Sequence, residues 1–278
     1  MYDTKLTEYS FSMFKDLVYK ESGICFTGNN EAILKFRITS LMDNKNIDDS
    51  KELYRIISSD ENELKIFLDE ITTNLTKFFR TIQHFDFLTK HILPKLVKKR
   101  RSSDKIRIWC AGCSTGEEAY SIAMTCLENE NISNSDIEII ATDISYKSLD
   151  IANNAEYDIA KLENVSKKYL TKYFDPINNR TYKVKNEIRN MISFEYHNLI
   201  NTQSNFPYFD IIFCRNVFIY FDNRSIELTV NKFYDILKDS GYLFIGHSES
   251  LFGLDTKFIA HNIEETIFYT KNMEILNV

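Results

Sequence analysis

Residues 106–124 have the sequence IRIWCAGCSTGEEAYSIAM, and this stretch decides the fold. The short apolar run over 106–110 predicts a buried strand, and from Glu117 onward apolar side chains recur three and four residues apart, as in a helix. Between the two lies a turn that contains Gly112 and Gly116. Glycines let the backbone approach a ligand closely, and the start of the helix offers free N–H groups. The stretch therefore predicts a strand–turn–helix unit with a ligand site at Gly112.

The next apolar run, 137–142, ends at Asp143. Ligands of an open parallel sheet lie beyond the carboxyl ends of its strands, and a carboxylate there accepts hydrogen bonds from both hydroxyls of a ribose. The pair therefore favours an adenosine-type ligand. Because the turn lacks the full GxGxxG pattern, a dinucleotide and dehydrogenase chemistry are disfavoured, and S-adenosylmethionine fits better. The alternative is a packing turn with Asp143 capping the helix that starts near Ser145.

The rest of the second half alternates strands and helices. Strands are predicted over 191–196, 209–214 and 242–245, a helix over 224–237, and a hairpin-like pair over 258–261 and 266–270. This order predicts an α/β fold with a mainly parallel, doubly wound sheet, and the last pair predicts an antiparallel edge. Residues 155–190 are polar and fit the alternation poorly, which indicates an inserted subdomain.

The first half shows only helical periodicity. Helices are predicted over 8–22, 31–42, about 50–57 with Asp48 or Ser50 as its cap, 61–71, and 78–97. We therefore expect an N-terminal helical domain over 1–72 and a second domain over 73–278.

Composition narrows the class of protein. A chain of 278 residues corresponds to about two domains of ~150 residues, and 44% hydrophobic residues indicate a folded protein. The net charge of -6 disfavours a nucleic-acid coat. We expect a cytoplasmic protein without membrane insertion, because no signal peptide and no apolar run of ~18 residues is visible. The five cysteines favour reduced thiols, and the Cys110–Cys113 pair lacks further ligands at zinc spacing, so no metal is expected.

Several polar residues are predicted to lie near the carboxyl ends of the strands, where a ligand would bind. They are Asn74, Thr76, Arg80, Glu118, Arg215 and Asn216. Helical spacing lets only one of Glu117 and Glu118 face a pocket, and the alternative role of both is to complement the helix dipole. The three residues ahead of the sheet reach one pocket if their segment starts as a turn; otherwise they form an N-cap followed by a surface arginine.

Five segments occur in a fixed order: TTNLTKFFR at 72–80, RIWCAGCSTGEEAYSIAM at 107–124, ATDIS at 141–145, FCRNVFIYFD at 213–222 and GYLFIGHSES at 241–250. They resemble the motifs of the chemotaxis receptor glutamate methyltransferases, the CheR family, over nearly the whole chain. The resemblance implies a small all-helical domain, then an S-adenosylmethionine-dependent methyltransferase domain that carries a small β-subdomain near 155–190. The expected methyl donor is S-adenosylmethionine, and the product is S-adenosylhomocysteine.

The resemblance also implies the site. The residues expected to bind S-adenosylmethionine are Asn74, Thr76, Arg80, Glu118, Asp143, Asn198, Leu199, Arg215 and Asn216. Arg80 and Tyr220 match the pair placed beside the transferred methyl group. Leu75 stands where the family commonly has an acidic residue, and this departure bears on the site. Cys110 and Ala119 replace a small residue and a proline, which concerns packing.

The implied activity is methyl transfer to glutamate side chains of chemoreceptors, which gives glutamyl methyl esters in chemotaxis adaptation. The expected partners are acidic receptor helices, to which Lys35 and Arg37 offer a basic face; the alternative is a solvated helix face. Family members that bind a receptor tail peptide share a glycine-containing loop, and DPINNRTY at 175–182 has no glycine. We therefore predict a tail-independent enzyme, and we expect a monomer that does not bind nucleic acid.

Two rival hypotheses remain at this point. Residues 95–101 are basic, which suits a nucleic-acid methyltransferase, but CRNV at 214–217 replaces the (N/D/S)PP(Y/F/W) element that grips a flipped base. The second rival is a non-catalytic adaptor that binds S-adenosylmethionine and docks on receptors. Intact Arg80, Asp143 and Tyr220 argue against it.

Overall fold

The computed structural model describes residues 6–101, 104–200 and 206–273. Within them, a group of four helices precedes a seven-stranded mixed sheet, and a separate three-stranded antiparallel sheet lies within 155–190. The predicted α/β class, the antiparallel edge and the inserted β-subdomain are confirmed. The strands are β1 Ile106–Ala111, β2 Ile137–Asp143, β3 Glu156–Asp158, β4 Phe174–Pro176, β5 Thr181–Val184, β6 Ile192–Tyr196, β7 Phe209–Cys214, β8 Leu237–Ile245, β9 Ile259–Ile263 and β10 Thr266–Thr270.

The helices are α1 Glu8–Ser22, α2 Glu31–Lys45, α3 Ser50–Ser59, α4 Glu61–Ile71, α5 Ile82–Phe87, α6 Leu93–Lys99, α7 Glu117–Leu127, α8 Tyr146–Asn154, α9 Lys167–Tyr173, α10 Asn186–Arg189 and α11 Asn223–Ile236. A π-helical segment, Leu88–Ile92, joins α5 to α6. None of the described helices combines the length and apolar character needed to cross a membrane.

The order of strands in the large sheet is β6-β2-β1-β7-β8-β10-β9. β1 pairs in parallel with β2 on one side and with β7 on the other, so that Ala111 lies opposite Thr142 and Cys110 opposite Phe213. β10 and β9 are antiparallel and close one edge. β1 lies at the point where the order of the strands reverses, with β2 on one side and β7 on the other. In such sheets a crevice opens beyond the carboxyl end of the strand at that point.

β1 is buried on both faces except at Arg107, which explains why its other residues are apolar. Trp109 packs on one face against Phe209 and Phe233, with ring centroids 5.6 and 5.1 Å away. Its indole N–H donates to the Thr142 hydroxyl at 3.0 Å, which satisfies the polar atom of this buried ring. Cys110 belongs to the apolar cluster on the other face. Helices on both faces therefore hold the strand whose end forms the site.

The N-terminal helices have their own apolar cluster, in which Phe14 and Phe67 lie with ring centroids 5.6 Å apart. Helix starts follow capping chemistry: Asp60 accepts the N–H groups of the first turn of α4. The predicted helices are present. The cap of α3 is Asp49 rather than Asp48 or Ser50, because its carboxylate accepts the Lys51 N–H at 2.9 Å.

The helix predicted over 78–97 begins later, at Ile82. Phe79 and Thr81 have φ values of 50° and 59°, in the left-handed region that does not continue a right-handed helix. Phe78 and Phe79 are buried instead, and the Phe79 N–H donates to the Ser121 hydroxyl at 3.0 Å. The predicted start of this helix at residue 78 was wrong because the side chains of Phe78 and Phe79 anchor a tight turn, which also carries Arg80.

The small sheet has the order β3-β5-β4 and packs on the same turn. The Phe78 ring meets Tyr157 and Phe174 edge to face, at centroid distances of 5.0 and 5.6 Å. The hydroxyl of Tyr157 also donates to the Thr115 carbonyl at 2.6 Å. The inserted subdomain therefore supports both the Arg80 turn and the glycine turn from outside.

A buried histidine gives the fold a testable pH dependence. Burial lowers the pKa of His84 to about 3, and the nearby Arg215 acts in the same direction. The unfolded chain takes up this proton near pH 6.5 and the folded chain does not, so stability falls as pH decreases below 6.5. Between pH 7.5 and 5, urea unfolding should show that His84→Gln removes about 2 kcal/mol of the wild-type loss. Equal losses in both proteins would contradict this.

Candidate active site

A cleft of about 870 Å³, open to solvent, lies at the carboxyl ends of β1, β2, β6 and β7. The end of α1 and the segment between α4 and α5 form its outer wall. All the residues expected at the site line this cleft: Asn74, Thr76, Arg80, Gly112, Glu118, Asp143, Asn198, Leu199, Arg215, Asn216 and Tyr220. Segments far apart in the sequence therefore meet in one place.

The turn after β1 depends on Gly112. Its φ is 78°, and a Cβ at this position would lie 2.4 Å from Val217 Cγ2. The Gly112 and Cys113 N–H groups both donate to the Thr142 carbonyl, at 2.8 and 2.9 Å. Both the left-handed backbone and the close approach require glycine here. The turn is thereby fixed to the end of β2.

Asp143 lies at the end of β2 and is buried in the wall of the cleft. One carboxylate oxygen accepts the Ser114 N–H at 2.8 Å, and the other accepts the Ser145 N–H at 2.9 Å. Burial raises the pKa of this carboxyl, while the backbone hydrogen bonds oppose that effect. The cap of α8 is Ser145, which accepts the Ser148 N–H at 3.1 Å. The Ile144 backbone also hydrogen-bonds to this carboxylate. Because two carboxylate oxygens offer about four acceptor sites, Asp143 retains capacity as an acceptor.

The two acidic residues at the start of α7 face different surroundings. Glu118 lines the cleft, where its carboxylate pairs with the Arg215 guanidinium at 2.8 Å. Glu117 is fully buried outside the cleft and pairs with Lys161 of the inserted subdomain at 3.1 Å. The expectation that only one of them faces a pocket is confirmed. Helical rotation of 100° per residue separates the two side chains.

Arg215 connects the cleft to the Arg80 turn. One Nη donates to Glu118, and the other donates to the Arg80 carbonyl at 2.5 Å. Its guanidinium carbon lies 5.8 Å from the centroid of the Phe85 ring. Within the described residues, Arg215 Nε is buried without a hydrogen-bond partner. An unpaired buried donor is costly, so a donor remains for an acceptor that the described residues do not supply.

Arg80 and Tyr220 both line the cleft. Arg80 donates to the Leu75 carbonyl at 3.1 Å, and its side chain is partly exposed. Tyr220 ends a 3₁₀ turn, Phe218–Tyr220, and its carbonyl accepts the Cys25 N–H at 2.8 Å. Both side chains are therefore carried on tight turns rather than on regular helices.

The N-terminal domain forms part of the cleft, which the sequence analysis missed. Ser22 and Ile24 line it, and Ile24 forms an isolated bridge with Phe221. The Tyr19 hydroxyl donates to the Asp222 carboxylate at 2.9 Å. The sequence showed only a helix end at residues 22–23, and this signal does not reveal a partner almost 200 residues away.

His197 and Ser114 were also missed as residues that line the cleft. Burial lowers the pKa of His197 to about 4, so the imidazole is neutral at pH 7. The Ser114 hydroxyl donates to the Asn74 carbonyl at 3.1 Å. The position of Ser114 between two turn glycines was a usable signal, whereas His197 follows its strand without a recognisable pattern.

The side chains expected to form a basic face make intramolecular contacts. Arg37 donates to the carbonyls of Glu70 and Thr72, at 2.8 and 2.6 Å, and so fixes the end of α4. Lys35 pairs with Glu8 at 2.8 Å on the exposed surface. Arg37 therefore stabilises the junction ahead of the cleft in addition to any external role.

The sheet order, the glycine turn and an acidic residue at the end of β2 define a class, the S-adenosylmethionine-dependent methyltransferases. Residues 74–267 match the family described as CheR methyltransferase, SAM binding domain, and residues 10–72 match CheR methyltransferase, all-alpha domain. The chain belongs to the CheR methyltransferase family.

Curated relatives agree with this assignment. The Chemotaxis protein methyltransferase of Borreliella burgdorferi is 37% identical over 255 residues, 89% of this chain and 90% of the relative. The Probable chemotaxis protein methyltransferase of Rhizobium etli is 33% identical, over 91% of this chain and 96% of the relative. The Chemotaxis protein methyltransferase of Escherichia coli is 32% identical, over 91% and 88%. These names do not support the nucleic-acid or adaptor hypotheses.

The close approach of Gly112 to Val217 gives a prediction that separates the cost of a left-handed backbone from the cost of a steric clash. Gly112→Ala should lower the urea midpoint more than Gly28→Ala. Both glycines have a positive φ, but apart from its chain neighbours no described residue has an atom within 4 Å of a Cβ at Gly28. A left-handed non-glycine residue costs about 1 kcal/mol, and the clash with Val217 adds to this at Gly112. Equal midpoints would show that the approach to Val217 does not constrain the turn.

Proposed function

We propose that this protein is a glutamate O-methyltransferase that transfers methyl groups from S-adenosylmethionine to chemoreceptor glutamates, giving methyl esters and S-adenosylhomocysteine. Membership of the CheR family supports the methyl donor, and the names of the relatives support a substrate in chemotaxis. The observation that carries the proposal is that Arg80 and Tyr220 line the same cleft as Asp143.

The cleft fits S-adenosylmethionine chemically. Asp143 retains acceptor capacity for the ribose hydroxyls, and Glu118 is an acceptor for the amino group. The unpaired Nε of Arg215 is a donor for a carboxylate. Leu199 adds apolar surface for a base. We assign binding roles to these residues and to Asn74, Thr76, Arg80, Gly112, Asn198 and Asn216.

The reaction needs orientation rather than proton transfer. S-adenosylmethionine supplies an electrophilic methyl group on a sulfonium. A glutamate with an ordinary pKa near 4.3 is already ionised at neutral pH, so no general base is required. Holding the two reacting groups in line accounts for a large part of catalysis in such a displacement.

We assign this orientation to Arg80 and Tyr220. A guanidinium and a phenol both donate hydrogen bonds to a carboxylate. Attraction between the carboxylate and a cation weakens as the methyl transfer consumes charge. A tight arginine clamp would therefore stabilise the ground state more than the transition state. The partial exposure of Arg80 and its single bond to a carbonyl suit a weaker, positioning contact.

The proposed function also includes the domain boundary, the location, the oligomeric state and the docking of the protein. We propose a domain boundary between Thr72 and Thr73, a cytoplasmic monomer, and docking on acidic receptor helices. We also propose independence from a receptor tail peptide. Asn178 supports a tight turn in the loop between β4 and β5, since its side chain accepts the N–H groups of Arg180 and Thr181 at 2.8 and 2.9 Å. This loop therefore closes without a glycine.

The activity itself is tested by label transfer. Incubation with methyl-labelled S-adenosylmethionine and membranes that contain chemoreceptors should label the receptor band. Mild alkali should release that label as methanol, because carboxyl methyl esters hydrolyse whereas methylamines do not. Membranes without chemoreceptors are the control. Alkali-stable label, or label on added nucleic acid, would refute the proposed function.

The role of Arg80 has a separate test. Arg80→Ala should lower kcat by about 100-fold or more, because the carboxylate loses its orientation. The urea midpoint should remain near that of the wild type, since among the described residues the side chain donates a single hydrogen bond, to the Leu75 carbonyl. Arg101→Ala, at an exposed arginine outside the cleft, is the matched control. Near-normal turnover of Arg80→Ala would remove this residue from the catalytic group.

A further inference from the structure

A buried carboxylate stands behind the wall that carries Tyr220. Glu249 follows β8 within the segment GHSES at 246–250, and only 8% of its surface is exposed. It does not line the cleft, and the chemistry proposed above assigns it no role. Its environment therefore needs a physical explanation.

Main-chain N–H groups satisfy this carboxylate. One oxygen accepts the Asn216 N–H at 2.9 Å and the Gly246 N–H, and the other accepts the Ile219 N–H at 3.2 Å. The backbone of Phe218 also faces it. None of these hydrogen bonds comes from the side chain of a cation. The carboxylate thus occupies a nest of backbone amides of the kind that binds anions.

The geometry around Glu249 is tight. A Cβ on Gly246 would lie 2.6 Å from the Glu249 carboxylate and 2.9 Å from the Asn216 nitrogen. Asn216 has a φ of 60°, in the left-handed region. A glycine at the end of β8 and a strained asparagine after β7 therefore both accompany the buried carboxylate.

Burial of an ionised carboxyl is costly, and burial raises the pKa of Glu249 while the surrounding amides oppose that effect. Two of the residues that donate these amides, Asn216 and Ile219, lie in the segment that ends in Tyr220. Asn216 precedes the 3₁₀ turn and Ile219 is in its first turn, where N–H groups have no partner within the helix. The buried carboxylate therefore stabilises the conformation of this turn.

We propose that Glu249 is a positioning residue, which organises residues 216–220 and thereby fixes Tyr220 in the cleft. The inference rests on the proposed function, because Tyr220 is assigned there to the reacting carboxylate. Glu249 does not touch the substrate or the methyl donor. It acts through the backbone amides that it accepts.

Glu249→Gln is the direct test, because it keeps size but replaces one oxygen with an NH₂ group. That group donates where an N–H already donates, so at least one amide loses its acceptor. Asp210→Asn is the matched control. Asp210 is also a buried carboxylate that accepts a backbone N–H, from Arg107 at 2.9 Å, but it lies at the opposite end of β7.

The first measurement needs no substrate. Amide hydrogen exchange should accelerate in residues 215–221 of Glu249→Gln, and Asp210→Asn should leave this segment at the wild-type rate. Unchanged protection in Glu249→Gln would overturn the inference. If Glu249→Gln does not fold, Glu249→Asp retains the charge, withdraws the carboxylate by one methylene, and is expected to give the same local loss of protection.

The second measurement separates positioning from general stability. In methyl transfer, Glu249→Gln should lower kcat by about 100-fold, because small misplacements near the reacting groups have effects of this size. The affinity for S-adenosylhomocysteine should fall much less. In a Tyr220→Phe background, the same substitution should lower kcat far less than in the wild type.

The outcomes distinguish the two proposals. Equal effects of Glu249→Gln in both backgrounds would mean that Glu249 does not act through Tyr220, and the inference would fail. A wild-type protein that methylates no receptor would refute the proposed function. Hydrogen exchange would then still decide whether Glu249 organises the turn.

Discussion

The close contact of the backbone at Gly112 with Val217 is the constraint on which the cleft depends. It brings the turn after β1 against the segment after β7, while two hydrogen bonds to the Thr142 carbonyl join the same turn to the end of β2. A side chain at Gly112 would push these segments apart. Since parallel strands end at the same edge of a sheet, one tight turn is sufficient to gather functional groups from three strands.

The buried carboxylates in and behind the cleft are all stabilised by fixed hydrogen-bond donors. Asp143 and Glu249 are held by main-chain N–H groups, and Glu118 is held by Arg215. Asp143 and Glu249 also accept N–H groups from turns that lack the regular hydrogen bonds of helices and strands. Fixed hydrogen bonds of this kind reduce the reorganisation that is needed when a ligand binds. Such an arrangement suits a displacement reaction, in which alignment matters and a proton does not move.

The sequence predicted those features that depend on local patterns or on ordered motifs. The buried strand 106–110, the glycine turn and the carboxylate at Asp143 follow from spacing and chemistry, and the position of each agrees with the structure. The start of α5 was mispredicted, because Phe78 and Phe79 adjoin a helical pattern but serve as anchors of a turn. Contacts made by the N-terminal domain at the cleft were not predictable, since no local pattern records a partner distant in the chain.

A crystal structure with S-adenosylhomocysteine is the sharpest test of the site. We expect both ribose hydroxyls to lie within hydrogen-bond distance of the Asp143 carboxylate, with the sulfur directed toward the space between Arg80 and Tyr220. A nucleoside bound elsewhere, or a ribose that does not contact Asp143, would show that this cleft does not bind the cofactor as proposed.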